Sequence, residues 1–106
     1  MLHVQRLALT IVCQLKPVLT VLARNDRSLE NQLRRAMASV ALNLAEGVGS
    51  FGGIKKQRYR TALGSLHEVV MALELARSFG YIQAIDSDLA DNLARAGRMI
   101  AGLAKP

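Results

Sequence analysis

Apolar residues recur every three or four positions in four separate segments of the chain. On an α-helix this spacing gathers them on one side, where they can face a core. The segments predict helices over residues 4–23, 27–48, 54–79 and 87–103. The apolar residues are mostly Ala, Leu, Val and Met, with no Trp, which is typical of helix packing. The predicted fold class is therefore all-α.

Polar residues at the helix ends indicate how the helices are connected. Asn25, Asp26 or Ser28 can cap the start of the second predicted helix, and Asp86 can cap the start of the fourth. Gly47, close to the end of the second helix, is predicted to form a left-handed C-terminal cap. Because the connections are short, consecutive helices should run antiparallel. We expect an antiparallel up-and-down four-helix bundle.

Size and composition favour one domain, residues 1–106, that associates with copies of itself. A chain of 106 residues supports one hydrophobic core and is too short for two. With 51% hydrophobic residues it has more apolar surface than such a core covers, which predicts a homo-oligomer. Cys13 is the only cysteine, so no intrachain disulfide can form, and a cytoplasmic location is expected. In its apolar segment Cys13 is predicted to be a buried, inert thiol.

The most apolar run, residues 7–23, is not predicted to enter a membrane. Gln14, Lys16 and Pro17 interrupt it, whereas a membrane-spanning helix needs about twenty mostly apolar residues. A secretory signal would have small residues at a cleavage site after its apolar core, and here Gln14, Leu15 and Lys16 follow instead. No membrane partner is expected.

The predicted topology places residues of the second and third helices opposite each other when their numbers sum to roughly 103. This register predicts contacts of Glu68 with Arg34 or Arg35, and of Glu46 with Gln57 or Arg58. The simplest interpretation is that these contacts are ion pairs and hydrogen bonds between helices.

An alternative interpretation makes Asn43 and Glu46 part of a polar site. Glu46 lies near the negative end of its own helix and needs a donor, such as Arg58 or the backbone amides at the start of the third helix. Gly64 and Ser65 are predicted to allow close approach of two helices rather than to take part in catalysis.

The net charge of +6 is predicted to be concentrated at one end of the bundle. That end holds the connection between the second and third helices and both chain termini. It carries one carboxylate, Glu46, and eight cations, for a net charge of +7: Arg6, Lys55, Lys56, Arg58, Arg60, Arg95, Arg98 and Lys105. The remaining charges nearly cancel. A positive surface of this kind attracts phosphate groups.

The run KKQRYR, residues 55–60, lies in the first turns of the third helix, where cations oppose the helix dipole. One interpretation is a solvated helix face with long side chains covering apolar surface. The preferred interpretation is a nucleic-acid-binding surface formed by Lys55, Lys56, Arg58 and Arg60 with Arg95 and Arg98, and with Tyr59 stacking on a base.

No reaction chemistry is predicted. Residues 47–52 match G-x-G-x-x-G but follow a helix instead of a strand, so they do not predict a dinucleotide site. Free amides and Lys55 and Lys56 nearby could still hold a phosphate. His3 and His67 have no partners at metal-ligand spacing, and no base is placed to activate Cys13. We expect a non-enzyme without cofactors or metals.

Three motifs in order carry a family resemblance: QLRRA at residues 32–36, S-x-x-x-N-x-A-E-G at 39–47, and A-x-G-S-x-x-E at 62–68. They resemble small bacterial four-helix-bundle proteins, some encoded in intervening sequences of large-subunit ribosomal RNA genes, with distant relatives that are accessory proteins of diversity-generating retroelements. The chain departs from the pattern at Ala41, where the family usually has proline, and at Ser50, where it usually has a basic residue.

The resemblance implies a cyclic homopentamer and, through the retroelement relatives, contact with nucleic acid and with a reverse transcriptase. Two hypotheses follow. The preferred one is a non-enzymatic oligomer that binds RNA or an RNA–DNA hybrid through its basic end, with a reverse transcriptase or another RNA-processing enzyme as a further partner. The alternative is a protein-interaction scaffold that binds no nucleic acid.

Overall fold

Four helices and short connections make up the computed structural model, which describes residues 1–106. They are α1 (His3–Asn25), α2 (Arg27–Val48), α3 (Gly52–Ser78) and α4 (Ser87–Ala104). Each predicted helix is present, and its bounds agree with the prediction to within two residues at either end. The all-α prediction is confirmed.

Each helix packs against the next one along the chain, and α4 returns to pack against α1, which closes a four-helix bundle. The bundle measures 43 × 24 × 20 Å. Two contacts show that α2 and α3 are antiparallel, because Ser39 lies opposite Ser65 while the later Glu46 lies opposite the earlier Arg58. The up-and-down arrangement follows from the same alternation around the bundle.

One cluster of 24 buried apolar residues fills the space between the helices. Each helix contributes the stripe that its periodicity predicts, and the side chains at its centre are almost inaccessible: Ile11, Leu15, Leu22, Leu33, Leu44, Leu66, Leu73, Leu89 and Ile100. Burial of such side chains stabilises a fold by about 1.5–3 kcal/mol each before the entropy cost of ordering them. The core therefore fixes which face of every helix points outward.

The N-termini of α2 and α4 are capped by aspartates that the sequence predicts for this role. Asp26 alone separates α1 from α2, and its Oδ1 accepts the Leu29 backbone N–H at 3.0 Å. Asp86 does the same for α4, where its Oδ2 accepts the Leu89 N–H at 3.1 Å. Both carboxylates also lie at the positive end of a helix dipole.

The prediction of a left-handed cap at Gly47 is wrong. Gly47 is helical, and α2 continues to Val48 before Gly49, whose φ is −85°. Glycine is needed at position 47 for a different reason. The ring of Tyr59 occupies the space that a larger side chain at this position would fill.

α1 is long and apolar enough to cross a membrane by length and composition, with a mean hydropathy of 1.5 in its most apolar window. In the bundle its apolar stripe faces the core, and Ile11, Leu15 and Leu22 are fully buried. Cys13 lies outside this stripe and is exposed, so the prediction of a buried thiol is wrong.

Candidate nucleic-acid interface

We use "basic end" for the end of the bundle where α1 begins, the α2–α3 connection lies and α4 finishes. Three contacts between helices tie basic side chains to this end. Arg58 of α3 pairs with Glu46 of α2, the Lys56 Nζ of α3 donates to the backbone oxygen of Leu103 in α4, and Arg95 of α4 bonds His3 of α1. The cations therefore surround this end of the bundle on several faces and do not form one flat patch.

The ion pair between Arg58 and Glu46 joins α2 to α3. The Arg58 Nε lies 3.0 Å from the Glu46 Oε2, which confirms the contact that the predicted register gives for this carboxylate. Both side chains are about half exposed, at 46% and 55%. Exposed pairs contribute roughly 0–1 kcal/mol to stability, so the pair adds little, and it neutralises the one carboxylate of the basic end.

Lys56 closes the end of α4. Its ammonium donates to the Leu103 backbone oxygen at 3.1 Å, in the last turn of that helix. A cation at this position satisfies a free carbonyl and complements the negative end of the α4 dipole. Lys56 thus has a structural task, which leaves part of its hydrogen-bonding capacity for a phosphate.

Tyr59 is not available for base stacking, so this part of the predicted interface is wrong. Its side chain is buried, with 2% of the residue exposed, and its ring packs on Gly47. Position 59 continues the buried stripe of Ala62, Leu66 and Val69, and the apolar body of tyrosine suits that position.

The other predicted ligands remain accessible. Arg60, Arg95 and Arg98 are exposed, and Lys55 is half-buried. The Arg95 guanidinium donates to the His3 Nε2 at 3.3 Å, and Arg98 borders the groove between α3 and α4. None of these four side chains forms an ion pair with a carboxylate in the structure. Their positive charge is therefore not neutralised within the chain.

The predicted contact of Glu68 with Arg34 or Arg35 is wrong. Arg34 pairs with Glu30 of its own helix at 3.2 Å, because Glu30 lies one turn before it. Arg35 and Glu68 are both exposed and form no ion pair.

A polar contact in the middle of the bundle joins α2 to α3. The hydroxyls of Ser39 and Ser65 lie 2.7 Å apart, and Asn43 Nδ2 donates to the Ser39 backbone oxygen at 2.9 Å and to its hydroxyl at 3.1 Å. Asn43 therefore takes part in the hydrogen bonds around Ser39 and does not form a separate polar site with Glu46. The S-x-x-x-N motif thus has a structural explanation.

The predicted close approach at Gly64 and Ser65 is correct for Ser65 alone. Gly64 is exposed, and a side chain there would meet no atom within 4 Å. The positions that let α2 and α3 approach each other are Ser65 and Gly47.

Tyr81, at the other end of the bundle, has a displaced pKa. Partial burial, the hydrogen bond to Asp26 and the negative charge of that carboxylate together raise the pKa of Tyr81 above its usual value. The sequence analysis did not identify this contact, because it joins residues 55 positions apart. No group of three His, Cys, Asp or Glu side chains is placed to hold a metal ion.

Comparison with known proteins agrees with this architecture. The family model described as "23S rRNA-intervening sequence protein" matches residues 1–102. The chain belongs to this family. The three sequence motifs that resemble it lie on α2 and α3, and the second and third of them supply Ser39, Gly47 and Ser65, which form contacts between these helices.

A solved structure has the same fold. It is a protein with unknown function from the S23 ribosomal protein family of Bacteroides thetaiotaomicron VPI-5482. The TM-score is 0.81 at 15% sequence identity, and the match covers 97% of this chain and 99% of that one. No curated protein matches this chain in sequence.

Proposed function

We propose that this protein is a non-enzymatic, cytoplasmic homo-oligomer that binds RNA or an RNA–DNA hybrid through the basic end. The observation that supports the proposal most is the distribution of charge. Eight of the fourteen Lys and Arg residues belong to the basic end, where Glu46 is the only carboxylate and is already paired.

Accessible cations without carboxylate partners suit contact with a phosphate backbone. Arg60 and Arg98 project from exposed positions on α3 and α4, and Lys55 and Arg95 add further charge. Binding of this kind releases counterions and depends steeply on salt, and it carries little sequence specificity. With Tyr59 buried, base stacking contributes nothing at that position.

Assembly into a ring would repeat the basic end several times on one surface. Weak phosphate contacts from separate copies would then add through multivalency. The family resemblance implies a pentamer, and the large apolar side chains that remain exposed support association in general. These include Leu42, Met71, Leu75 and Phe79.

The test compares two variants of equal net charge. Arg60→Glu/Arg98→Glu reverses two exposed cations of the basic end, and Arg27→Glu/Arg35→Glu reverses two exposed cations at the opposite end. Neither pair includes Lys56 or Arg58, whose loss would also break contacts between helices. Labelled single-stranded RNA, duplex RNA, an RNA–DNA hybrid and duplex DNA are titrated at several salt concentrations, and the mass is measured by light scattering.

We expect the basic-end variant to bind RNA at least about tenfold more weakly and with a shallower salt dependence, and the control variant to bind as the parent does. Equal loss in both variants would show that only net charge matters and would contradict the location. Absence of binding by the parent at low salt would contradict the function itself.

A second candidate function is a protein-interaction subunit, and an apolar groove between α3 and α4 favours it. The groove encloses about 530 Å³, and small residues of α4, including Ala94 and Gly97, leave room beside Leu63 and Val70 of α3. A reverse transcriptase or another RNA-processing enzyme is the partner that the family resemblance implies. Capture of one such enzyme by nuclease-treated protein, without RNA binding, would favour this function over the first.

A further inference from the structure

A second groove lies between α1 and α2, in the half of the bundle away from the basic end. Its wide part lies beside the turn at Asp26 and encloses about 510 Å³. Lys16, Thr20 and Arg24 of α1 line one side of it, and Glu30 and Arg34 of α2 line the other. We call this part the cationic mouth.

The cationic mouth continues into a narrower apolar slot toward the middle of the bundle. The slot encloses about 170 Å³, and Leu15, Leu33 and Met37 form its floor. The two parts share Val12, Leu19 and Arg34, so they are one continuous groove. Along its length the lining changes from apolar to positively charged.

The charge of the mouth is not balanced within the chain. Arg34 pairs with Glu30, which is the one buried charged residue, while 62% of the Arg34 side chain stays exposed. Lys16 and Arg24 are exposed and form no ion pair. Three cations therefore face one carboxylate, which leaves a net charge of +2 for a ligand to meet.

The spacing of these cations matches that of side chains on another helix. Lys16, Thr20 and Arg24 occupy every fourth position of α1 and form one row, with roughly 12 Å of helix rise between the first and the last. A helix lying along the groove presents side chains at the same repeat. Its carboxylates, placed two turns apart, could reach Lys16 and Arg24.

RNA fits this groove less well than an acidic helix. No aromatic side chain lines either part of the groove, so bases have nothing to stack on. The apolar slot would lie against a polar sugar-phosphate chain without any gain from burial. Apolar side chains of an amphipathic helix would fill the slot, and hydrophobic burial would then contribute to binding.

We propose that this groove binds an acidic amphipathic helix of another protein, with apolar residues in the slot and Asp or Glu side chains on Lys16 and Arg24. The inference does not depend on RNA binding, because the groove and the basic end share no residue. It assigns the protein a docking surface with a defined ligand chemistry.

The probe is a fluorescent synthetic peptide of about twenty residues, long enough to form a helix. It carries Leu at positions i, i+4 and i+7 and Glu two turns apart. A second peptide has Lys in place of Glu, and a third has Ser in place of Leu. Binding to the whole protein is measured by fluorescence anisotropy for the parent, for Lys16→Glu/Arg24→Glu and for the control Arg60→Glu/Arg98→Glu.

We expect the first peptide to bind the parent and the control alike, and to bind Lys16→Glu/Arg24→Glu at least about tenfold more weakly. The Lys and Ser peptides should both bind poorly. Equal binding of the first peptide by all three proteins, or no binding at all, would overturn the proposal.

Two further outcomes would also overturn it. Loss of RNA binding in Lys16→Glu/Arg24→Glu, without peptide binding by the parent, would make the groove an RNA site. A changed oligomer mass in the same variant would make it an interface between copies. If that variant does not fold by circular dichroism, Lys16→Gln/Arg24→Gln replaces it, with the same outcomes.

Discussion

The ring of Tyr59 lies over the α-carbon of Gly47, in the space that any larger residue at position 47 would fill. A Cβ there would come within 2.9 Å of the Tyr59 Cδ1 atom, and still closer to another ring carbon. Gly47 lies inside α2, where glycine costs roughly 1 kcal/mol relative to alanine. This destabilisation is accompanied by burial of the Tyr59 ring between α2 and α3, which only a glycine at position 47 allows.

Gly47→Ala should therefore destabilise the protein although alanine is the better helix former. We expect a loss of about 1–3 kcal/mol in the free energy of unfolding, as for other overpacked sites. The measurement is denaturation by urea, followed by circular dichroism.

Gly64→Ala is the matched control for this change. Gly64 also lies inside a helix, but a side chain there meets open space. This substitution should raise the free energy of unfolding by about 0.5–1 kcal/mol. If both substitutions stabilise the protein equally, the packing of Tyr59 on Gly47 does not limit the size of the residue at position 47.

Removal of the hydroxyl contact between Ser39 and Ser65 should cost stability in a way that a double-mutant cycle can isolate. Ser65 is buried, and its partner hydroxyl is 2.7 Å away. We expect Ser65→Ala to lower the free energy of unfolding by about 1 kcal/mol. Ser39→Ala/Ser65→Ala should cost less than the two single changes added together, because each single change already removes the shared contact between the hydroxyls. Strict additivity would mean that the two residues do not interact.

Glu46→Gln should affect RNA binding more than stability. The ion pair with Arg58 is exposed, so its loss should change the free energy of unfolding by no more than about 0.5 kcal/mol. The same change removes the one carboxylate of the basic end and frees Arg58. If the proposed function is correct, RNA affinity at low salt should rise about twofold or more. Glu74→Gln, which breaks the ion pair with Arg77 at the other end, serves as the control and should leave RNA affinity unchanged.

Tyr81 should make the stability of the protein fall at high pH. Its folded pKa is raised above the usual 10.0, because partial burial disfavours the phenolate, the neutral phenol donates to Asp26, and the phenolate would face a carboxylate. The stabilisation is fully present below the unfolded pKa and is lost as the pH rises from there through the folded pKa. The stability difference between the parent and Tyr81→Phe should thus be constant near neutral pH and shrink above about pH 10.

Denaturation curves at several pH values, together with an absorbance titration of tyrosinate, measure this effect. Tyr59→Phe is the comparison that separates the two tyrosines. A parent–variant difference that stays constant up to strongly alkaline pH would contradict the assigned role of the contact with Asp26.

The helices and most of the core could be predicted from the sequence because each helix carries one clear apolar stripe. The register between α2 and α3 followed from antiparallel pairing, and it placed Glu46 beside Arg58 correctly. The same register failed for Glu68, since Arg34 had a closer partner on its own helix in Glu30. Pairs one turn apart on the same helix need no tertiary packing.

Two errors arose from judging residues by their neighbours in sequence instead of by helical position. Tyr59 stands among cations, yet it lies three residues before Ala62 and seven before Leu66, on the buried stripe. Cys13 stands in an apolar run, yet it falls outside the stripe of Ile11 and Leu15 and is exposed. The helical periodicity alone would have predicted a buried Tyr59 and an exposed Cys13.

The grooves could not have been predicted in this way. Their width depends on the distance between helix axes and on the rotamers of long side chains such as Arg34. A residue pattern gives the face that a helix presents, but it does not give the space left between two faces. The contact of Tyr81 with Asp26 escaped prediction for a similar reason, because the α3–α4 connection has no periodic pattern.

Asp26 uses its two carboxylate oxygens for two different parts of the bundle. Oδ1 caps α2 and Oδ2 accepts the hydroxyl of Tyr81 from the α3–α4 connection. Movement of that connection away from the bundle would remove a bond from the residue that starts α2, and fraying of α2 would release the connection. The two turns at this end should therefore open as one cooperative unit, with their amide hydrogens exchanging together.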